Sequence, residues 1–304
     1  PRAGAAHWLA LVADTLARLP KSNARLPLTF ARAATWLNDQ DWTARSALAD
    51  ALARSDRAAD GAAFLGELRG PLPPVLRMRL AELTAEEGDR AAAVKIAEEA
   101  VTGDAPRSLL VRFADLARQS DDAAAAERAY TRLEAALGDG DDSAPLRATL
   151  LVARAELRLQ AKDWDGAAPL MQRALALRPN DATILNFVGY SALERRIDVD
   201  RALGQIETAW KAEPQNASIT DSLGWAYFLT GRTDKAVELL EQAQQGEPEN
   251  AVIVEHLGDA YWKAGQRFRA RYTWRAAALL AEEDMAARVA AKLEGGLTPQ
   301  TTAP

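Results

Sequence analysis

Histidine is the side chain best suited to moving protons near neutral pH, and this chain holds two, His7 and His256, 249 positions apart. Cysteine is absent, which removes thiolate nucleophiles, disulfides and thiolate-held metals. His256 stands beside Glu255 and Asp259, a grouping that could bind a metal or relay a proton. No nucleophile or further ligand has matching spacing, so the expectation is an ordinary, partly exposed histidine. The carboxylate pairs Glu86 with Glu87 and Glu282 with Glu283 read as helix-end or solvated charges. The stretch from Gly138 to Ser143 is the nearest approach to a phosphate-cradling loop, but it lacks the Lys-Ser or Lys-Thr ending and a preceding strand, so it reads as a plain loop. The residues therefore predict no catalytic site, no cofactor site and no metal site, and a chain that is not an enzyme.

Composition narrows the partners. Of 304 residues, 48% are apolar and 26% charged, enough to bury a large interior and without the signature of disorder or of a membrane span. The balance of 37 basic against 43 acidic residues gives a net charge of -6, so no general field draws the chain to nucleic acid. The basic residues divide into 30 Arg and 7 Lys, which with abundant Ala fits a GC-rich bacterial coding sequence. The chain starts at Pro1 without an initiator Met, a signal peptide or a lipidation cysteine, which points to a mature form or an excised piece.

The elements that would position any site emerge from internal repetition. Ala217 to Asn250 aligns without a gap on Ala251 to Asp284, and ten of the 34 positions are identical, among them Leu223 with Leu257, Gly224 with Gly258, Tyr227 with Tyr261, Gly231 with Gly265 and Ala236 with Ala270. Ile219, Leu223 and Tyr227 trace one helical stripe and Ala236, Leu240 and Ala243 another, so each unit is a helical hairpin. Gly231 and Gly265 fall where the first helix must turn and positive φ is needed, and Pro248 closes the second helix. Gly224 and Gly258 sit mid-helix, where glycine costs about 1 kcal/mol against alanine. Close approach of the paired helices, with small Ala236 and Ala270 opposite, is the expected compensation.

Toward the N-terminus, Ala182 to Asn216 is a 35-residue unit with Gly189, Ala202, Ala209 and Pro214 in register and its extra residue in the turn from Arg196 to Asp200. Before it, Ala167, Ala174 and Pro179 keep register, while Ala155 replaces the helix glycine and Pro169 falls early in the second helix. Farther upstream the pattern thins to Leu80, Ala81, Gly88, Ala93 and Ala100, then Phe113, Ala114, Ala126 and Tyr130, with two more hairpins between Ala5 and Gly70. After the last hairpin, Met285, Val289 and Leu293 share one face of a helix, with Arg288, Lys292 and Glu294 around the other, and this helix would shield the end of the stack.

The string Leu223-Gly224-Trp225-Ala226-Tyr227 with Gly231, Ala236, Ala243 and Pro248, at 34-residue spacing, resembles the tetratricopeptide repeat (TPR) signature. The resemblance implies an all-α fold, an α-α superhelix or TPR solenoid of about eight helical hairpins with a C-terminal capping helix. Residues 1-147 would be degenerate hairpins; 148-284 would hold the units 148-181, 182-216, 217-250 and 251-284; 285-294 would cap them; and 295-304 would be a flexible tail.

In that family the first helices line a concave groove that holds a protein or peptide. Carried over unit by unit, the groove residues are Asn186, Tyr190 and Leu193; Asp221, Trp225 and Phe228; and Glu255, Asp259 and Trp262. The aromatic members either line the groove or pack between units, and both readings stand. A clamp for a C-terminal carboxylate is poorly supplied, with Asn186 and the peripheral Lys263 alone of the right type. Arg267, Arg271 and Arg275 form a basic stripe, read as a solvated convex face partly paired with Glu282 to Asp284, with a patch for anionic lipid or protein as the other reading.

The implied function is a non-catalytic scaffold or adaptor. The alternatives are the regulatory TPR portion of a larger enzyme and a chaperone or assembly factor. The strings from Asn186 to Tyr190, from Asp221 to Trp225 and from His256 to Trp262 resemble long proteobacterial members, including outer-membrane lipoproteins that adapt a processing protease to cell-wall hydrolases. That resemblance implies a periplasmic or outer-membrane-anchored protein rather than a cytoplasmic one, with a protease or envelope enzyme as its partner.

Overall fold

The apolar stripes of the sequence become paired helices in the computed structural model, which describes residues 2-18, 25-68, 70-120, 122-138 and 140-303. The chain divides into two compact units, Pro1–Ser143 and Ala144–Pro304, four residues before the boundary expected at 148. Among the described residues every regular element is helical, and the helices form eight hairpins and one final helix.

The first unit contains α1 (Arg2–Ala17), α2 (Arg25–Leu37), α3 (Trp42–Ala53), α4 (Ala58–Gly66), α5 (Pro74–Glu86), α6 (Arg90–Ala100), α7 (Arg107–Arg118) and α8 (Ala123–Ala135). The second contains α9 (Ala144–Gln160), α10 (Trp164–Leu177), α11 (Ala182–Glu194), α12 (Val199–Ala212), α13 (Ala217–Leu229), α14 (Thr233–Gly246), α15 (Ala251–Lys263), α16 (Arg267–Leu280) and α17 (Glu283–Gly295). Within each unit consecutive helices pair antiparallel, and first helices also meet one another, α11 against α13 and α13 against α15. The loop expected from Gly138 to Ser143 contains residue 139, which lies outside the described residues; Asp141–Ser143 forms one 3-10 turn.

Local chemistry sets the helix ends. Asp163, Asp181, Asn216 and Asn250 accept from backbone N–H groups of the first turn they precede, satisfying donors with no intrahelical partner. The turns at Gly231 and Gly265 have φ of +79°, as the repeat predicts. Lys162 and Arg196 adopt the same left-handed conformation without glycine. Small alanines in register, from Ala167 and Ala174 to Ala270 and Ala277, are buried where the hairpins close. Helix α10 runs on through Pro169, held by buried Ala167, Met171 and Ala174.

The mid-helix glycines owe their place to close approach of the paired helices, as expected, but the side chains opposite them differ. A Cβ on Gly224 would stand 2.7 Å from Leu240 Cγ, and one on Gly258 would stand 2.3 Å from Trp274 Cδ1. Bulky ridges of the second helix, not Ala236 and Ala270, fill the space that a Cβ would take, in keeping with ridges-into-grooves packing.

Candidate functional site

The nine candidate groove residues lie on α11, α13 and α15, as the helical period requires, but most do not face solvent. Leu193, Asp221, Trp225, Phe228, Glu255 and Asp259 are buried; Asn186, Tyr190 and Trp262 are partly covered. The cover over α15 comes from α17 and the residues after it, which the sequence reading leaves as a cap and a loose tail.

On α13, Trp225 stacks on Phe228 at 4.5 Å and on His256 at 4.1 Å between ring centroids. His256 is not the partly exposed residue expected: it is fully enclosed, with Nδ1 3.0 Å from both Asp221 carboxylate oxygens. For Trp225, packing between units is therefore the reading that holds. The Trp225 indole N–H and the Asn186 side-chain carbonyl are nonetheless buried with no hydrogen-bond partner among the described residues.

On α15, Glu255 and Asp259 are one turn apart and meet two cations one turn apart on α17. Arg288 donates to both Glu255 oxygens, at 2.8 and 2.6 Å. Lys292 is fully buried and donates to Glu255 at 2.6 Å and to Asp259 at 2.7 and 2.8 Å. Asp259 also accepts from the Trp274 indole at 2.9 Å and from the backbone N–H of Ala303 at 3.0 Å. Two carboxylates face two cations, so the buried group is formally neutral. Burial alone would push the Glu255 carboxyl up, but the hydrogen bonds and charges of Arg288 and Lys292 outweigh it and hold the group below its ordinary value. At Asp259 burial outweighs the pull of Lys292 and leaves the carboxyl above its ordinary value.

The segment after α17 doubles back over the inner wall. Gly296, at φ +81°, lies against Trp262, where a Cβ would stand 2.1 Å from the indole ring. Thr298 to Thr302 closes a turn through hydrogen bonds from Thr301 and Thr302 to the Thr298 carbonyl. Ala303 is buried and tied to Asp259. The expected flexible tail is thus seated through 303, while 304 lies outside the described residues. Beyond it a cavity of about 760 Å³ remains, lined by Leu193, Glu194, Arg196, Trp225 and Leu229 from the repeats and by Pro299, Thr302 and Ala303 from the tail. Tyr190 hydrogen-bonds Glu194 of this lining; burial, with the charges of Glu194 and Asp221, pushes its phenol well up.

The arginines of the basic stripe are exposed, as expected of a solvated face. Two of them also touch neighbours: Arg267 lies over the Trp262 ring at 3.8 Å and donates to the Trp262 carbonyl, and Arg271 donates to the Leu293 carbonyl at 3.3 Å. Among the described residues no group of three or more His, Cys, Asp or Glu is placed to hold a metal ion, and no helix is long and apolar enough to cross a membrane.

Arg288 and Lys292, expected on the polar outer face of the capping helix, instead turn to Glu255 and Asp259, and Lys292 is fully buried; Trp274, Gly296 and Ala303 have no place in the sequence-based site. A signal existed for the two cations: Arg288 and Lys292 follow Glu255 and Asp259 by 33 positions each, close to one repeat, with opposite charge and the same one-turn spacing.

Comparison with known proteins agrees with this architecture. The tetratricopeptide repeat family profile matches residues 221–250. A tetratricopeptide repeat protein from Parabacteroides merdae ATCC 43184 superposes with a TM-score of 0.62 at 15% identity, over 81% of this chain and 94% of its own. A chain of the APC/C hetero-tetramer Cut9–Hcn1 superposes with a TM-score of 0.59 at 17% identity, over 95% of this chain; this chain spans 55% of that one's length. No curated protein matches by sequence. Residues 221–250 are a tetratricopeptide repeat, and the chain has the tetratricopeptide-repeat fold.

Proposed function

We propose that this chain is a non-catalytic scaffold that holds a segment of a partner protein along the inner wall of α11 and α13, beside its own C-terminal residues. The observation that carries this reading is the seat of residues 296-303. Tetratricopeptide hairpins here already bind a stretch of non-helical peptide, through a backbone N–H on Asp259 and a glycine on Trp262. The adjoining cavity of about 760 Å³ offers the same kind of wall, with apolar Leu193 and Leu229, the Glu194 carboxylate held by the Tyr190 phenol, and the Arg196 guanidinium. Polar groups of this sort suit an extended backbone with carbonyls to offer.

The partner we propose is a protease or envelope enzyme met in the periplasm, with the chain acting as its adaptor. This rests on the resemblance of the strings Asn186 to Tyr190 and His256 to Trp262 to proteobacterial envelope members. Affinity capture from periplasmic extract, with mass spectrometry, tests both levels. The expected capture is an envelope enzyme, with recovery lost in Glu194→Arg/Tyr190→Ala and raised when residues 297-304 are deleted. Recovery of cytosolic proteins alone would end the periplasmic reading, and recovery indifferent to Glu194 and Tyr190 would end the groove reading.

A further inference from the structure

The 34-residue period allows each outward position of one second helix to be compared with its counterpart in the next. On α14 the positions Asp234, Glu238, Glu241 and Gln245 are polar, the ordinary choice for a face in water. Their counterparts on α16 are Phe268, Tyr272, Arg275 and Leu279. At i, i+4, i+7 and i+11 these four lie within about 60° of one another and run about 16 Å along the helix. Phe268 is 84% exposed, Tyr272 68% and Leu279 88%. Single exposed apolar residues need no cause, but three on one stripe, where the preceding repeat has Asp, Glu and Gln, mark a contact face.

Charge defines what fits. Helix α16 carries four arginines and no acidic residue, in a chain of net charge -6. Arg269 is held by Glu241 at 2.7 Å, and Arg267 and Arg271 are engaged with Trp262 and Leu293. No ion pair among the described residues holds Arg275, in the middle of the stripe. We infer that the outer face of α16 docks an acidic amphipathic helix of a partner protein, its apolar residues three and four apart meeting Phe268, Tyr272 and Leu279 and a carboxylate meeting Arg275. A membrane surface does not fit: the stripe is one residue wide with a guanidinium inside it, and exposed Asp234 and Glu238 on neighbouring α14 would face the lipid. A second copy does not fit either. Paired α16 helices would oppose four positive charges to four, and α14 offers carboxylates without apolar partners.

The test uses the full chain and a fluorescein-labelled synthetic helix of about four turns, with leucines at i, i+4, i+7 and i+11 flanked by glutamates, read by fluorescence anisotropy. Saturable binding is expected, weakened at least about tenfold by Phe268→Asp with Leu279→Gln, the residue types of the preceding repeat. Circular dichroism should be unchanged by that pair, since both sites are exposed. Arg275→Glu is expected to shift preference to the same peptide with lysine for glutamate. Absence of saturable binding, or binding that ignores both variants, would overturn the inference. So would loss in the double variant of co-sedimentation with phosphatidylglycerol vesicles, or of dimerisation seen by light scattering, with peptide binding intact. Deletion of residues 297-304 leaves this face untouched, so failure of the groove reading and of this one are separable.

Discussion

Both compact units join neighbouring first helices by a carboxylate on one and a cation on the next, and they place that pair in different surroundings. In the first unit Asp50 on α3 takes Arg79 on α5 at 2.5 Å, and Glu82 on α5 takes Arg112 on α7 at 2.5 and 2.8 Å. These side chains keep between 20% and 36% of their surface in water. In the second unit Glu255 and Asp259 on α15 take Arg288 and Lys292 on α17, and both carboxylates and the lysine are sealed by Trp274 and the returning tail. The contact is the same, but the dielectric is not. Water screens the first ladder until it contributes little, whereas the second is held in a medium where a lost partner leaves an expensive bare charge.

Lys292→Ala should cost most, because it leaves Asp259 without its cation in a dry site and Glu255 with Arg288 alone. A loss of about 3 to 5 kcal/mol is expected, with α17 losing hydrogen-exchange protection first. A loss below about 1 kcal/mol would mean that the cluster behaves like its exposed counterpart. Next is Gly296→Ala, which forces a Cβ at positive φ into Trp262. About 2 to 4 kcal/mol of tail docking should disappear, seen as a change in tryptophan fluorescence and faster exchange at Ala303. An unaltered spectrum would show that the tail is not held there. Gly224→Leu should overpack Leu240 and lower stability by about 1 to 3 kcal/mol, and an unchanged melting temperature would refute the contact. Smallest is Arg112→Ala in the first unit, expected to cost less than about 1 kcal/mol by urea denaturation and to fade further in salt. A cost like that of Lys292→Ala would erase the contrast between the units.

Most of the fold was legible because repeats write it several times over. Gly231, Gly265, Pro248 and the alanine register gave hairpin boundaries that the helices follow closely, and the thin upstream patterns at Leu80 and Phe113 fall on α5 and α7. The candidate site was legible only in part. Helical period puts Trp225 on α13 and Glu255 and Asp259 on α15, a local property of those helices, but not what covers them. What lies on the wall is set by residues 30 to 45 positions away, and a returning Gly-Leu-Thr-Pro tail has no period to betray its destination. The helix glycines show the same limit: their spacing signals that the paired helix comes close, but not that Leu240 and Trp274 are the residues that do so.

The register of α17 reaches beyond stability. It presents cations to α15 at 33 positions' remove, the offset at which α15 presents His256 to α13 within two positions, so it occupies the berth of a ninth first helix. A further hairpin grafted after Gly295 would find its mooring already built. The array can be lengthened there by duplication or by design without recutting any earlier joint, and the piece given up would be the tail that covers Trp262.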